Sequence, residues 1–349
     1  MHMREHSDAS ALRLAARASP DGKTVVLVFG TIDFLALLQN WACHALALGI
    51  RWFVLVAMDV ATHARLSAAP SKLRSHALLL PRVRNGNVNL TKFNVIGERQ
   101  VFGLSVLEQG FNVLHSDADA LWIKDPFPLL SNGDVVAERI WGKPLSVVKE
   151  WGAAICTGFY FLRSTPPVLA LARAVRTEVA RKRRRQPRWQ ASDQFYINHV
   201  LSTYGVRWAG GQRMAGAQSM VTRYFDINAS VGVASTPRGP LRLVMLAHGV
   251  VPRACPMLSE AELQSVQTAQ GRRRGGGNPK LRGKAMYWNM LLESASVLHC
   301  FPPEPKRPKE EKRVIFMGHP AHTSSEVAFA RRQGLWRVAS EVTGRCRAP

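Results

Sequence analysis

The sequence has no uninterrupted apolar run of the about 20 residues that a membrane-spanning helix requires. Its apolar stretch at residues 52–60 is long enough only for a strand. Residues 1–20 carry five charged side chains among alanines, so they lack the apolar core of a signal peptide. We therefore expect residues 1–22 to be poorly ordered, and no signal peptide or membrane anchor is visible.

Cysteine is also scarce, with five residues in the chain and no CxxC pair among them. This spacing excludes the common zinc-knuckle and thioredoxin-like motifs. An odd number excludes complete pairing within one chain, although it allows one or two disulfides. The sequence therefore leaves the redox compartment of the protein open.

Acidic residues are few: the chain has 24 Asp and Glu against 47 Lys and Arg, a formal net charge of +23. Such an excess suits a polyanionic partner, but an arginine-rich surface without a specific partner gives the same number. The basic runs at residues 181–185 and 272–274 are not interleaved with aromatic residues at a stacking spacing. A solvated helix end and a loop explain them better than a nucleic-acid site does.

Apolar and β-branched runs predict strands that alternate with amphipathic helices along most of the chain. We predict strands at residues 24–29, 51–58, 111–115, 133–137, 158–162, 241–247 and 314–317, and helices at 34–48, 91–109, 166–185 and 192–201. Asp33 is placed to cap the first helix and Gly49 to end it.

This alternation predicts an α/β fold with a largely parallel sheet covered by helices on both faces. We expect a single domain over residues 23–349. Two stretches rich in Gly, Pro and charge, near residues 268–284 and 301–313, are predicted to be flexible insertions within it.

Two aspartates, Asp117 and Asp119, directly follow the strand predicted at residues 111–115. In extended backbone, residues i and i+2 point the same way, so both carboxylates face one side. Carboxylates are hard ligands that suit Mn²⁺ or Mg²⁺, and open α/β sheets bind ligands beyond the carboxyl ends of their strands. A divalent cation there would stabilise the diphosphate that leaves when a nucleotide-sugar bond breaks.

A DxD pair alone is also compatible with a solvated acidic turn or with a haloacid-dehalogenase-like phosphatase. That phosphatase family usually carries the motif in its first strand. Here the motif lies in the middle of the chain and continues Ala120-Leu121-Trp122, which disfavours the phosphatase.

The longer segment at residues 107–127, LEQGFNVLHSDADALWIKDPF, resembles the core of the nucleotide-diphospho-sugar transferase domain. Plant rhamnogalacturonan xylosyltransferases and extensin arabinosyltransferases carry this domain. Besides the two aspartates, the shared positions are Gly110, Val113, Leu114, Trp122, Asp125 and Pro126. Further segments resemble the family in the same order, so the likeness extends from about residue 25 to residue 336.

The resemblance implies a GT-A fold and a metal-dependent glycosyltransferase. Such an enzyme moves a sugar from a nucleotide-diphosphate-sugar donor to a glycan or glycoprotein hydroxyl, and we expect retention of anomeric configuration. The resemblance also implies work on cell-wall glycans in the Golgi lumen. It assigns no donor sugar, linkage or oligomeric state.

The resemblance further implies roles for particular residues. Asp117, Asp119 and His319 would ligate Mn²⁺ or Mg²⁺, and Asp193 and Gln194 would face the transferred sugar and the acceptor as catalytic candidates. The donor itself would lie against Thr31, Asp59, Arg99, Asp117 and Gly158.

The terminal segment departs from the family pattern. His319 is not followed by the usual Asn two residues on, and no Lys precedes Gly334. His322, His248 and His299 are therefore alternatives to His319. The departure keeps open a pseudo-enzyme that binds sugar nucleotides without turnover, and a basic nucleic-acid-binding protein is the alternative from a different class.

Overall fold

The structure is a computed structural model, and it describes residues 2–68, 73–84, 92–141, 144–185, 193–209, 228–251, 295–299, 338–340 and 345–346. Its helices are α1 (His2–Ala18), α2 (Leu35–Ala47), α3 (Val60–Ala68), α4 (Pro81–Arg84), α5 (Lys92–Glu108), α6 (Leu145–Trp151), α7 (Pro166–Arg185) and α8 (Asp193–Thr203). Among the described residues, no helix is long and apolar enough to cross a membrane.

The described strands fall into one large sheet and two small ones. They are β1 (Thr24–Gly30), β2 (Phe53–Ala57), β3 (Ala77–Leu79), β4 (Asn112–Ser116), β5 (Ala120–Trp122), β6 (Val135–Ile140), β7 (Ala154–Leu162), β8 (Arg207–Trp208), β9 (Ser230–Thr236), β10 (Gly239–Met245), β11 (Val297–His299), β12 (Val338–Ser340) and β13 (Arg345–Cys346).

The large sheet has nine strands in the order β3-β2-β1-β4-β7-β6-β10-β9-β8. The pairings make seven of these strands run in one direction, with β7 and β9 opposed to them. The predicted α/β fold with a largely parallel sheet is therefore confirmed. Because β1, β2 and β4 are parallel, their carboxyl ends lie at one edge.

Helices cover both faces of this sheet. Helix α2 packs on one face through an apolar cluster that includes Leu38 and Trp41. Helices α1, α5, α7 and α8 contribute to a second cluster on the other face. Strands β1, β2 and β4 are buried along their whole length, as expected of strands that helices cover from both sides.

The amino-terminal stretch, which we expect to be poorly ordered, forms helix α1. Leu12, Ala15 and Ala16 are buried in the second apolar cluster, at the i, i+3, i+4 spacing of one helix face. Alanine favours a helix, and this narrow apolar face suffices to dock α1 on the sheet.

The start of α2 differs from prediction because a short 3-10 turn, Ile32–Phe34, precedes it. Phe34 takes the N-cap position and no side chain caps the helix, so the capping role predicted for Asp33 is wrong. The predicted end is confirmed: Gly49 follows the helix with a φ of 76°, the left-handed conformation that favours glycine. The strand predicted at residues 314–317, both predicted insertions and Ser192 lie outside the described residues.

Two smaller pairings lie apart from the main sheet. Strand β5 pairs antiparallel with β11, and β12 pairs antiparallel with β13. A disulfide between Cys43 and Cys346 joins α2 to β13. The chain thus uses at least one of the disulfides that its cysteine count allows.

Candidate active site

The candidate site lies at the edge of the sheet where β1, β2 and β4 end. Thr31 follows β1, Asp59 follows β2 and Asp117 follows β4. Strand β7 runs the opposite way, and its middle residue Gly158 lies beside the end of β4, where the backbone N–H of Asp117 donates to the carbonyl of Gly158 at 2.7 Å. Four residues predicted for one site therefore share one sheet edge.

Asp59 joins the ends of β1 and β2. Its carboxylate accepts a hydrogen bond from the backbone N–H of Ile32 at 2.8 Å, one residue after Thr31. It also accepts from the backbone N–H and the hydroxyl of Thr62, at 2.6 and 2.9 Å, in the first turn of α3. Both oxygens of Asp59 thus hold local structure, and Asp59 fixes the backbone beside Thr31.

Asp117 and Asp119 belong to a tight turn between β4 and β5. The backbone N–H of Ala120 donates to the carbonyl of Asp117 at 3.0 Å and closes the turn. Asp117 and Asp119 are both partly exposed, whereas Ala118 between them is buried. The turn at the end of β4 thus leaves both aspartates partly accessible to solvent.

Ser116 anchors the strand end that carries Asp117. Its hydroxyl oxygen accepts hydrogen bonds from the indole N–H of Trp41 at 3.0 Å and of Trp122 at 3.2 Å. Both indoles are buried. Trp122 is therefore a core residue that fixes the aspartate turn from the apolar side.

Arg99, on α5, reaches the aspartates from the helical layer. Its guanidinium donates to Asp117 Oδ1 at 3.0 Å and lies 3.4 Å from Asp193 Oδ2. Burial disfavours the charged guanidinium, but the carboxylates of Asp193 and Asp117 outweigh this and raise the pKa of Arg99. The site therefore contains a permanent, buried positive charge beside the first aspartate.

His115 lies on the same side of β4 as Asp117, two residues earlier. Its Nε2 lies 3.1 Å from Asp117 Oδ1 and also contacts Arg99. Burial and the neighbouring Arg99 charge lower the pKa of His115, so the imidazole is neutral at physiological pH. Sequence reasoning missed this residue, although a polar residue at i−2 of Asp117 in a buried strand was the signal for it.

Asp193 is the first residue of α8, yet it is only 5% exposed. Its Oδ1 accepts from the hydroxyl of Thr157 at 2.8 Å, and its Oδ2 faces Arg99 and Gln100. Gln100 also donates to the hydroxyl of Tyr160 at 3.2 Å. Burial and, to a smaller extent, the negative charge of Asp193 raise the pKa of Tyr160, so its hydroxyl stays neutral.

Gln194 follows Asp193 and is held through its backbone. Its N–H donates to Asp193 Oδ1 at 3.0 Å, and its carbonyl accepts from Asn198 Nδ2 at 2.6 Å. The side chain of Gln194 is partly exposed, whereas Asp193 is buried. The two residues predicted to act together thus differ in access to a substrate.

The sequence profile of the nucleotide-diphospho-sugar transferase family matches residues 48–235, more than half of the chain. The chain belongs to the nucleotide-diphospho-sugar transferase family. The matched span includes Arg99, both aspartates of the turn, Gly158, Asp193 and Gln194. The expected α/β fold, with a largely parallel sheet, is present.

Curated relatives of this transferase include two enzymes of Arabidopsis thaliana. One is UDP-D-xylose:L-fucose alpha-1,3-D-xylosyltransferase 3, 27% identical over 179 residues that cover 46% of this chain and 45% of that protein. The other is beta-arabinofuranosyltransferase RAY1, 27% identical over 155 residues that cover 42% of this chain and 28% of that protein. The matched region thus spans less than half the length of each relative.

Solved structures similar to this transferase include the galactosyltransferase LgtC in complex with donor and acceptor sugar analogs. It aligns with a TM-score of 0.41 and 13% identity over 90% of this chain and 97% of that one. GlyE of Streptococcus pneumoniae TIGR4 aligns with a TM-score of 0.38 and 10% identity over 90% of this chain and 64% of that one. Neither similarity is close enough to indicate a substrate.

The third metal ligand expected of a transferase of this family is less well defined. His319 lies outside the described residues. Within the described ranges, no group of three His, Cys, Asp or Glu side chains is placed to hold a metal ion. However, β11 pairs with β5 in the register His299↔Ala120, so the backbone of His299 lies opposite the residue that follows Asp119.

Proposed function

We propose that this transferase moves a sugar from a nucleotide-diphosphate-sugar donor to a hydroxyl of a glycan or glycoprotein. The observation that carries the proposal is the turn at Asp117 and Asp119, at the carboxyl edge of a parallel sheet and beside the buried charge of Arg99. Open α/β sheets bind their ligands at this edge. The turn also lies within the span that matches the family.

The donor set at this edge fits a hard divalent cation. Asp117 and Asp119 supply carboxylates, the ligands that Mn²⁺ and Mg²⁺ prefer. A histidine, His319 or one of its alternatives His322, His248 and His299, would supply a third protein ligand. When bound, the cation supplies charge that stabilises the departing diphosphate.

The chain's own residues position the donor around this site. Thr31 and the backbone held by Asp59 flank the nucleotide, and Arg99 offers a positive charge to the ribose or phosphate side. Gln194, with its partly exposed side chain, faces the transferred sugar. Both oxygens of Asp193 accept or face donors of the protein itself, which disfavours Asp193 as a covalent nucleophile.

For the retaining reaction that we expect, this occupancy of Asp193 favours front-face attack over a covalent intermediate on that residue. The named substrates of the relatives make UDP-xylose and an arabinofuranosyl nucleotide the first donors to try. The disulfide between Cys43 and Cys346 favours an oxidising compartment and is compatible with the Golgi lumen.

The proposal is tested by donor hydrolysis and transfer with purified protein. Release of nucleoside diphosphate from a panel of UDP-sugars is measured with Mn²⁺ and with EDTA, with and without L-fucose and arabinan acceptors. We expect release that depends on Mn²⁺ and falls at least about 100-fold in Asp117→Asn, because Asp117 would hold the cation whose positive charge stabilises the leaving group.

The matched control is Asp125→Asn, since the carboxylate of Asp125 caps the next turn by accepting from the N–H of Phe127 at 2.9 Å. This variant should retain wild-type release. Binding of UDP-sugars without any turnover would identify a pseudo-enzyme instead. Failure to bind any of the nucleotides, with or without Mn²⁺, would refute the proposed function.

A further inference from the structure

Asp193 is more enclosed than a residue that contacts substrate needs to be. Its Oδ1 accepts from Thr157 Oγ1 at 2.8 Å and from the N–H of Gln194 at 3.0 Å. Its Oδ2 lies 3.4 Å from the guanidinium of Arg99 and 3.5 Å from Gln100 Nε2. Four donors of the protein therefore surround a carboxylate that is 5% exposed.

Arg99 is shared between two carboxylates. The same Nη2 atom donates to Asp117 Oδ1 at 3.0 Å and faces Asp193 Oδ2 at 3.4 Å. Its Nε is buried and has no acceptor in the part of the chain that the structure describes. The guanidinium thus pairs with Asp117 through one nitrogen, although it could form a two-nitrogen pair with a single carboxylate.

We propose that Asp193 is a positioning residue. It competes with Asp117 for the guanidinium of Arg99, which weakens the ion pair between Arg99 and Asp117 and leaves Asp117 able to bind a divalent cation. The inference rests on the proposed function, because it concerns the cation that Asp117 and Asp119 would hold. Asp193 acts through Arg99 and does not need to touch the sugar.

The physical reason is competition between two cations for one carboxylate. In a buried site the attraction between Arg99 and Asp117 is only weakly screened. If Asp193 loses its charge, Asp117 is the one carboxylate among the described residues that still pairs with Arg99, and the guanidinium moves toward it. A divalent cation must then displace a guanidinium that is held more tightly.

The variant Asp193→Asn tests this competition, because it removes the charge of the side chain and keeps the side chain's shape nearly unchanged. The asparagine oxygen can still accept from Thr157, whereas the charge that faces Arg99 is gone. We expect Mn²⁺ affinity, measured by electron paramagnetic resonance at saturating UDP, to fall about tenfold, the effect of one charge-assisted hydrogen bond. UDP carries no transferred sugar, so a residue that acts only on the sugar leaves this affinity unchanged.

Arg99→Met provides the second half of the test. Added to Asp193→Asn, it removes the competing cation, so the double variant should bind Mn²⁺ about as tightly as Arg99→Met alone. The control is Asp134→Asn, whose carboxylate accepts from the backbone N–H of Arg242 at 2.9 Å, just before the start of β6. It should match the wild-type affinity.

Three results would overturn the inference. Asp193→Asn could keep wild-type Mn²⁺ affinity and lose only transfer, which would place its action on the sugar. The loss could persist in the double variant, which would make Asp193 merely structural. If wild-type protein bound no Mn²⁺ with UDP, the proposed function would fail together with the inference.

A folding defect in Asp193→Asn does not remove the test. Arg99→Met with the native Asp193 is then titrated with Mn²⁺ alone, without nucleotide. Because the competitor for Asp117 is absent, affinity should rise several-fold above wild type. Equal or weaker affinity would contradict the competition that we infer.

Discussion

Cys43 and Cys346 are bonded to each other across 303 residues of sequence. Cys43 is buried in α2, which packs on the face of the sheet beneath the aspartate turn. The bond therefore fastens the β12–β13 hairpin to the core, and it restricts the unfolded chain over most of its length. We predict that reduction lowers the free energy of unfolding by about 2–5 kcal/mol, measured by urea denaturation with and without a reductant.

Cys43→Ser separates this effect from other effects of the reductant. The variant should unfold at lower urea than oxidised wild type, and reductant should shift it no further. A reductant effect that persists in Cys43→Ser would assign the stabilisation to other cysteines. Unchanged stability of the variant would show that the bond contributes nothing.

Ser116 offers a second stability test, next to the site. Ser116→Ala removes the acceptor of two buried indole N–H groups, those of Trp41 and Trp122. An unsatisfied buried donor costs about 1–3 kcal/mol, so we predict a total loss of about 2–4 kcal/mol in chemical denaturation. Ser131→Ala is the control, because its exposed hydroxyl donates to the carbonyl of Pro128 at the surface. A loss for Ser116→Ala no larger than that of the control would refute the role of this hydroxyl.

The regular part of the fold follows from local sequence. The β-branched run at residues 24–29 and the helical spacing at 91–109 match β1 and α5 within one residue at each end. Strand β1 buries apolar side chains on both of its faces, and α5 buries them along one side of the helix. Both arrangements leave a clear pattern of apolar residues in the sequence. Helix α7 has the predicted bounds.

Elements that depend on distant partners were not predictable. Strand β5 has three residues and exists as a strand because β11, far along the chain, pairs with it. Strand β7 begins at Ala154, four residues before the predicted start, since β6 extends its ladder across a bulge.

The same limit applies to the candidate site. The carboxylates of Asp117 and Asp119 were predictable because a short motif and a buried strand specify them. The contact of Arg99 with Asp193 was not, since it arises when α5 and α8 pack on the same face of the sheet. The backbone of His299 lies opposite Ala120 because β11 pairs with β5, a pairing that local sequence does not predict.

Asn198 holds α8, and with it Asp193 and Gln194, against the sheet. Its amide accepts from the N–H of Ile155 at 2.8 Å and donates to the carbonyls of Ile155 and Gln194 at 2.7 and 2.6 Å. The residue is fully buried. We predict that Asn198→Ala lowers the free energy of unfolding by about 2–4 kcal/mol, because buried backbone groups lose their partners.

Ser202→Ala, on the same helix, is the control for Asn198→Ala. Its exposed hydroxyl donates to Glu150 at 3.0 Å, and an exposed contact of this kind contributes at most about 0.5 kcal/mol. Chemical denaturation of both variants measures the difference. If the two variants unfolded at the same urea concentration, Asn198 would not be the link between α8 and β7.

His76 makes the stability of the fold depend on pH. Its Nδ1 donates to the carbonyl of Phe53 at 3.0 Å, and its ring stacks on the Phe53 ring with centroids 4.0 Å apart. Burial lowers the pKa of His76; the hydrogen bond to Phe53 partly offsets this, and the charge of Arg51 adds to the lowering. The folded state therefore prefers the neutral imidazole.

A folded-state pKa below the unfolded value of about 6.5 means that the unfolded chain binds more protons in the interval between the two values. The contribution of neutral His76 to the free energy of unfolding is therefore fully present above the unfolded-state pKa of about 6.5. It is lost as pH falls from there through the folded-state pKa. We predict that urea denaturation from about pH 8 to about pH 5 shows a smaller loss for His76→Gln than for wild type. Part of the slope should remain, because burial also lowers the pKa of His115. Above about pH 7 the difference between the proteins should be constant, since the imidazole is neutral in both states, and identical slopes below that pH would refute the assignment.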